Sequence, residues 1–184
     1  MAHLEKIVQY NVQSSDKEKF DGVMLDIEPY ISDSWKENPE EYMDRYISCM
    51  KKGYKFAQKN HLRTAICIPR HYDNQGLTSG LEELIKETCD EVAVMNYSCG
   101  NEIEAIRTEA ALSEKYGKEL HCILEFQEVG KHGLTENKTY RNKGIDNAKE
   151  TWEKLQKEYK NINVTRDYHW SRPVREMLEE KNAD

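Results

Sequence analysis

Two carboxylate residues, Asp26 and Glu28, stand at alternate positions in the apolar segment FDGVMLDIEPY. Side chains alternate between the two faces of a strand, so a strand over residues 20–28 places both carboxylates on one face, near its carboxyl end. Crowded carboxylates disfavour full ionisation of the pair, which keeps a proton available for general acid catalysis. The segment therefore predicts an acid/base pair. The alternative is that both carboxylates form salt bridges with Arg70 or Arg166 of neighbouring strands.

A third acid and several aromatic residues are predicted at the ends of other strands. Glu125 ends the predicted strand 120–126, and it faces the same cavity if Cys122, Leu124 and Phe126 face the helices. Its alternative role is structural, as a carboxylate hydrogen-bonded to the following loop. Flat rings stack on sugar faces, although buried aromatic rings with a bonded polar tip are as common. The candidate stacking residues at or just beyond strand ends are Tyr30, Trp35, Tyr72, Tyr97 and Trp170.

The elements that must position these residues alternate along the chain. Apolar runs predict five strands, over residues 20–28, 62–68, 91–97, 120–126 and 162–170. Amphipathic patterns predict helices over residues 2–13, 40–60, 80–89, 101–116, 142–160 and 173–181. Strands separated by helices pair in parallel through right-handed crossovers, so we expect an α/β fold. No linker divides the chain, so residues 1–184 are expected to form a single domain.

Composition narrows the classes of partner. The net charge of −7 argues against a protein that coats a nucleic acid. No apolar run approaches the roughly 20 residues of a membrane helix, so no membrane contact is expected. The opening residues MAHLEKIVQYN lack the apolar stretch of a signal peptide. We therefore expect a cytoplasmic chain, or a secreted one if an upstream segment is missing.

Metal and thiol chemistry are also disfavoured. The histidines show no ligand spacing such as HxxxH, and no glycine-rich phosphate loop occurs, so neither a metal nor another cofactor is expected. The five cysteines contain no CxxC pair and mostly stand in apolar segments. They are therefore predicted to be buried free thiols.

Three motifs resemble those of the chitinase-like glycoside hydrolases of family 18. The segment from Asp21 to Glu28 resembles that family's fourth-strand signature, in which DG precedes acids at alternate positions and the last Glu is catalytic; Met24 stands where the family has its first alternating Asp. In VAVMNYS, Met95 and Tyr97 match the sixth-strand Met-x-Tyr, with Asn96 between them as a candidate substrate-binding residue. In YHWSRP, Trp170 matches the eighth-strand Trp.

A closer likeness, in DIEPY, IPRHYD, ILEFQEVG and YHWSRP, is to uncharacterised bacterial barrel proteins that are classed with the glycoside hydrolases. It spans residues 20–175. The resemblance implies a partial (β/α)8 TIM barrel whose five strands are barrel strands four to eight. A complete barrel takes typically about 250 residues, so the first three β/α units are expected to be missing.

The expected activity is that of a glycosidase (O-glycosyl hydrolase) acting on a polysaccharide or glycan. The resemblance implies that Glu28 protonates the glycosidic oxygen while Asp26, supported by Tyr97, orients the 2-acetamido group of the substrate. In the competing retaining mechanism Glu28 is the acid/base and Glu125 the nucleophile, with carboxyls about 5 to 5.5 Å apart. The alternative function is a non-catalytic carbohydrate-binding or remnant partial barrel.

The first strand carries a further expectation. Apolar side chains occupy both faces of this strand, with Met24 on one face and Leu25 and Ile27 on the other. Both faces are therefore expected to be buried, which predicts a strand inside the sheet. In a partial barrel that starts there it would be an edge unless helix 2–13, a neighbouring chain or a swapped segment covers it. An open sheet exposes edges and an apolar inner face, so self-association through open edges is also expected.

Overall fold

The computed structural model describes residues 1–183 of the chain, with side chains described for residues 1–180. Five parallel strands alternate with helices and form one sheet in the order β1-β2-β3-β4-β5. The strands are β1 (Gly22–Asp26), β2 (Arg63–Pro69), β3 (Glu91–Met95), β4 (Glu119–Glu125) and β5 (Val164–His169). The predicted α/β fold is confirmed, and it is consistent with a partial barrel. The numbering of the strands as four to eight stays a prediction.

Every predicted helix is present, and the predicted helix 101–116 is divided at Ile106. The helices are α1 (Ala2–Gln13), α2 (Asp33–Glu37), α3 (Pro39–Lys59), α4 (Thr78–Thr88), α5 (Glu102–Ala105), α6 (Arg107–Tyr116), α7 (Ile145–Glu158) and α8 (Ser171–Ala183). The described residues pack as two compact units. The first holds Met1–Ile68 and Tyr72–Val92, and the second holds Pro69–His71 and the described residues from Ala93 onward. The single domain expected from the sequence stays a prediction.

In the first unit, α3 is the long helix that packs against α1, α2 and α4. Its start follows from local chemistry: the side chain of Asn38 accepts a hydrogen bond from the backbone N–H of Glu41 at 3.3 Å, and Pro39 occupies the first turn. Its buried face consists of Met43, Tyr46, Ile47, Met50, Gly53 and Ala57. Strand β2 is buried from Thr64 to Pro69 and pairs in parallel with β1.

Strand β1 lies at an edge of the sheet. Among residues 1–183 its one strand neighbour is β2, and the Met24 side chain is 49% exposed. The prediction that this strand lies inside the sheet is therefore wrong. Alternating apolar residues indicate which faces could be covered, but they do not supply a second neighbour. Regular pairing also ends at Asp26, so Ile27 is exposed and Glu28 belongs to the following turn.

In the second unit, β4 pairs in parallel with β5, with Glu125 level with His169. Helix α7 packs on β5, and the indole N–H of Trp152 donates to the carbonyl oxygen of Cys122 at 2.9 Å. Phe126 contacts Trp152 and Tyr168, with ring centroids 6.3 and 6.1 Å away. Cys122, Leu124 and Phe126 are all buried, as the proposed orientation of Glu125 required.

The cysteines are free thiols, as predicted, and three of them, Cys67, Cys89 and Cys122, are buried. Two depart from the expected burial: Cys49 is exposed on α3, and Cys99 is partly exposed. Within the described part of the chain, none of the helices combines the length and apolar character needed to cross a bilayer.

Candidate functional site

The carboxylate of Glu28 is held by the turn that follows β1. Glu28 precedes a short 3-10 helix, Pro29–Ile31, and its carbonyl oxygen accepts a hydrogen bond from the N–H of Ile31 at 3.3 Å. The carboxylate of the half-buried Glu28 accepts a hydrogen bond from the hydroxyl of Tyr30. Pro29 therefore begins the turn after Glu28, and Tyr30 supplies a hydrogen-bond donor to the Glu28 carboxylate.

Tyr30 stays a neutral phenol in this arrangement. Burial, followed by the hydrogen bond and the charge of Glu28, raises the pKa of Tyr30 well above its ordinary value. A neutral phenol donates one hydrogen bond, and here it is committed to the carboxylate. This fixes the direction of the Glu28 side chain before any ligand arrives.

Trp35 and Tyr72 lie beneath this turn and form its support. Trp35 is 3% exposed and Tyr72 is fully buried. The Tyr72 ring contacts Trp35 at a centroid distance of 5.6 Å and meets the edge of Tyr30 at 6.2 Å. Burial raises the pKa of Tyr72 as well. Neither buried ring presents a face to a sugar in this structure, so of the three aromatic candidates in this unit only the half-buried Tyr30 is open to stacking.

Asp26 is the last residue of β1 and is exposed. It shares a strand face with Met24, since alternate residues point to the same side. The proximity of its charge helps to raise the pKa of Tyr30 and of the buried Tyr46 of α3, although burial is the main cause for both. Asp26 and Glu28 thus act on the same tyrosine, which places the two predicted acids in one local environment.

In the second unit, Glu125 is 2% exposed and is fully engaged in hydrogen bonds. Its Oε1 accepts from the backbone N–H groups of Phe126 and Gln127 at 2.8 and 2.7 Å. Its Oε2 lies 3.3 Å from the donor Nε2 of Gln127 and 2.9 Å from Nδ1 of His169. Burial tends to raise the pKa of Glu125, but the hydrogen bonds from His169 and Gln127 outweigh it and hold that pKa below its ordinary value. The hydrogen bonds to the loop are those expected of a structural Glu125.

His169 and Gln127 are site residues that the sequence did not indicate. In the sequence, His169 is one of several histidines without metal-ligand spacing. Its signal lies in the register of β4 and β5, which sets His169 beside Glu125 although 44 residues separate them. The role of Gln127 follows only from the turn after β4, which brings its backbone and side-chain N–H groups to the carboxylate of Glu125.

Tyr97 and Trp170 lie near His169. The Tyr97 ring is partly exposed and its centroid is 6.1 Å from the imidazole of His169 at an interplanar angle of 33°. Trp170 follows His169 through a cis peptide bond, and its side chain is 44% exposed. Both rings are accessible enough to contact a ligand.

The side-chain amide of Asn96 is buried and bonded within the protein. Nδ2 of Asn96 donates to the carbonyl oxygen of Glu102 at 2.9 Å and lies 3.5 Å from the sulfur of Cys122. Its backbone N–H donates to the carbonyl of Ile123 at 3.0 Å. The predicted role of Asn96 in substrate binding has no exposed group to support it, because the amide ties the end of β3 to α5.

Comparison of the chain with protein-family models, with curated proteins and with solved structures gave no match. The first unit offers an accessible Asp26 and a half-buried Glu28 that is held by a phenol. The second offers an ionised, buried carboxylate bonded to an imidazole. Both are arrangements of groups that can transfer protons.

Proposed function

We propose that this chain carries the acid/base residues of a glycoside hydrolase that acts on a polysaccharide or glycan. The observation that carries the proposal is the pair of carboxylates at the carboxyl end of β1. Asp26 is open to solvent, and Glu28 is half-buried and fixed by Tyr30. The carboxyl ends of parallel strands are where barrel enzymes keep their active sites.

Glu28 is the proposed general acid. A catalytic acid has to be held in one orientation and yet be reachable by the leaving oxygen, and the hydrogen bond from Tyr30 combined with partial exposure meets both needs. Asp26 is the proposed partner that orients the 2-acetamido group of the substrate.

The decisive experiment compares Glu28→Gln with a matched control, Glu37→Gln. Glu37 ends α2, is exposed and lies outside the proposed site. The Glu28→Gln variant keeps the shape of the side chain but has no transferable proton, so kcat/KM should fall by about 10² to 10⁴. The control should keep the wild-type value. Equal activity of Glu28→Gln and the wild type would refute the assignment, provided circular dichroism shows both to be folded.

Asp26→Asn separates the two mechanisms. If the substrate's own acetamido group attacks the anomeric carbon, this variant should lose more activity on 2-acetamido sugars than on sugars without that group. An equal loss on both classes would refute the role of Asp26 in orienting the acetamido group. Paired assays on aryl N-acetylglucosaminide and aryl glucoside substrates measure the difference.

The open face of β1 favours one alternative function. Met24 is half exposed beside Asp26 at the edge of the sheet. Asp26 is itself exposed, so water still surrounds its carboxylate. A hydrated carboxylate suits ligand binding better than proton transfer. A wild-type chain that binds chitooligosaccharides in a calorimeter without hydrolysing them would establish the carbohydrate-binding function instead.

A further inference from the structure

The two oxygens of Glu125 have different sets of partners. Oε1 accepts two backbone N–H groups, at 2.8 Å from Phe126 and 2.7 Å from Gln127. Oε2 faces Nδ1 of His169 at 2.9 Å. An ionised carboxylate can only accept hydrogen bonds, so Nδ1 of His169 must be the donor. In the neutral imidazole the other ring nitrogen, Nε2, is then the one that can accept.

We propose that Glu125 is a positioning residue that holds His169 as its Nδ1–H tautomer, and that Nε2 of His169 accepts a hydrogen bond from a sugar hydroxyl. The contact with the sugar rests on the proposed function, whereas the tautomer does not. This assignment replaces the role of Glu125 as a nucleophile with a role exerted through His169.

Burial decides which member of the pair a ligand can contact. The Glu125 side chain is 2% exposed and the His169 side chain is 45% exposed. A nucleophile has to approach an anomeric carbon with an oxygen lone pair, and both oxygens of Glu125 are surrounded by donors at the end of β4. The imidazole, by contrast, lies beside the partly exposed ring of Tyr97 and precedes Trp170. Rings of this kind stack on sugar faces while a neighbouring polar atom binds a hydroxyl.

Glu125→Gln should invert the tautomer. The two backbone N–H groups require an acceptor, so the amide oxygen takes the position of Oε1. The amide NH₂ group then takes the position of Oε2 and points a donor at Nδ1 of His169. Nδ1 must become the acceptor, which moves the hydrogen to Nε2. The variant therefore converts Nε2 from an acceptor into a donor with almost no change in shape.

The same two strands supply a matched control. Nδ1 of His121 lies 2.9 Å from a carboxylate oxygen of Asp167, the same distance as in the Glu125–His169 pair. The His121 side chain is 12% exposed and is therefore much less accessible than that of His169. Asp167→Asn removes a histidine-bound carboxylate from the same face of the sheet without touching the proposed site.

The first measurement is the nitrogen-15 spectrum of the histidine rings, with His169 assigned through His169→Gln. It is recorded at about pH 8.5, above the ordinary imidazole pKa of about 6.5. We expect His169 to be the Nδ1–H tautomer in the wild type and in Asp167→Asn, and the Nε2–H tautomer in Glu125→Gln. An Nε2–H tautomer in the wild type, or an unchanged tautomer in Glu125→Gln, would overturn the proposal.

The second measurement titrates each protein with chitotriose, the trisaccharide of N-acetylglucosamine, and follows the ring signals of His169. The wild type and Asp167→Asn should show a saturable shift, and Glu125→Gln should bind at least about tenfold more weakly. Saturable binding that leaves the His169 signals unmoved, or equal affinity of Glu125→Gln, would overturn the sugar contact. Loss of hydrolysis in Glu28→Gln with normal chitotriose binding would support the proposed function independently of His169. A wild type that binds chitotriose without hydrolysing it would refute the proposed enzyme activity while supporting the His169 contact.

Discussion

Gly80 in the first turn of α4 lies against Met43 of α3, and Gly80→Ala tests that packing. A Cβ atom at this position would lie 2.6 Å from Cγ of Met43, with the sulfur and methyl of the same side chain at 3.5 and 3.6 Å. Met43 is buried, and Cγ is near the root of its side chain. The clash is relieved only if Met43 changes rotamer in a packed core or if α4 moves away from α3.

Two effects of opposite sign determine how Gly80→Ala changes the free energy of unfolding. Alanine gains up to about 1 kcal/mol over glycine in a helix interior, and less at the third residue of α4. Overpacking of a dense core costs typically about 1 to 3 kcal/mol. Overpacking wins, and the free energy of unfolding of Gly80→Ala should fall by about 1 to 2 kcal/mol.

Gly53→Ala is the matched control in the neighbouring helix. Gly53 lies inside α3, and an added Cβ would meet Cδ1 of Leu4 at 3.6 Å, an ordinary contact. This variant should gain about 0.5 to 1 kcal/mol, since the helix preference is unopposed. Urea unfolding followed by circular dichroism measures both variants. A Gly80→Ala protein at least as stable as the wild type would refute the packing argument, as would changes of the same sign in both variants.

Three further outcomes are expected. Tyr140→Phe removes a hydroxyl that donates to the buried carboxylate of Glu102, so the free energy of unfolding should fall by about 1.5 to 3 kcal/mol, and a loss below about 0.5 kcal/mol would contradict that role. Only the exposed Cys49 should react rapidly with a thiol reagent at about pH 8. Burial raises the pKa of Cys99 to about 11, so little of it is the reactive thiolate at that pH, and rapid labelling of a second thiol would contradict this prediction. The chain should self-associate through the β1 edge in sedimentation experiments, and Met24→Lys should reduce the association, whereas a wild type that is monomeric at every concentration would exclude it.

Local sequence patterns predicted all five strands and every helix except α2. The helix expected over residues 2–13 is α1, and the strand expected over residues 120–126 is shifted by one residue in β4. Both signals are periodicities of apolar side chains, and each is complete within the segment itself. The strand expected over residues 20–28 is shorter in the structure, because β1 ends at Asp26 and Glu28 lies in the turn that follows.

Only the tertiary structure decided which side chains remain accessible and which ones meet. Trp35 looked like an exposed ring on a loop, but α2 forms within that loop and the indole is buried against Tyr72. His169 meets Glu125 because the register of two parallel strands sets them level, although they are 44 positions apart in the chain. A sequence states the periodicity of each strand but not the offset between strands, because that offset is set by packing between distant segments.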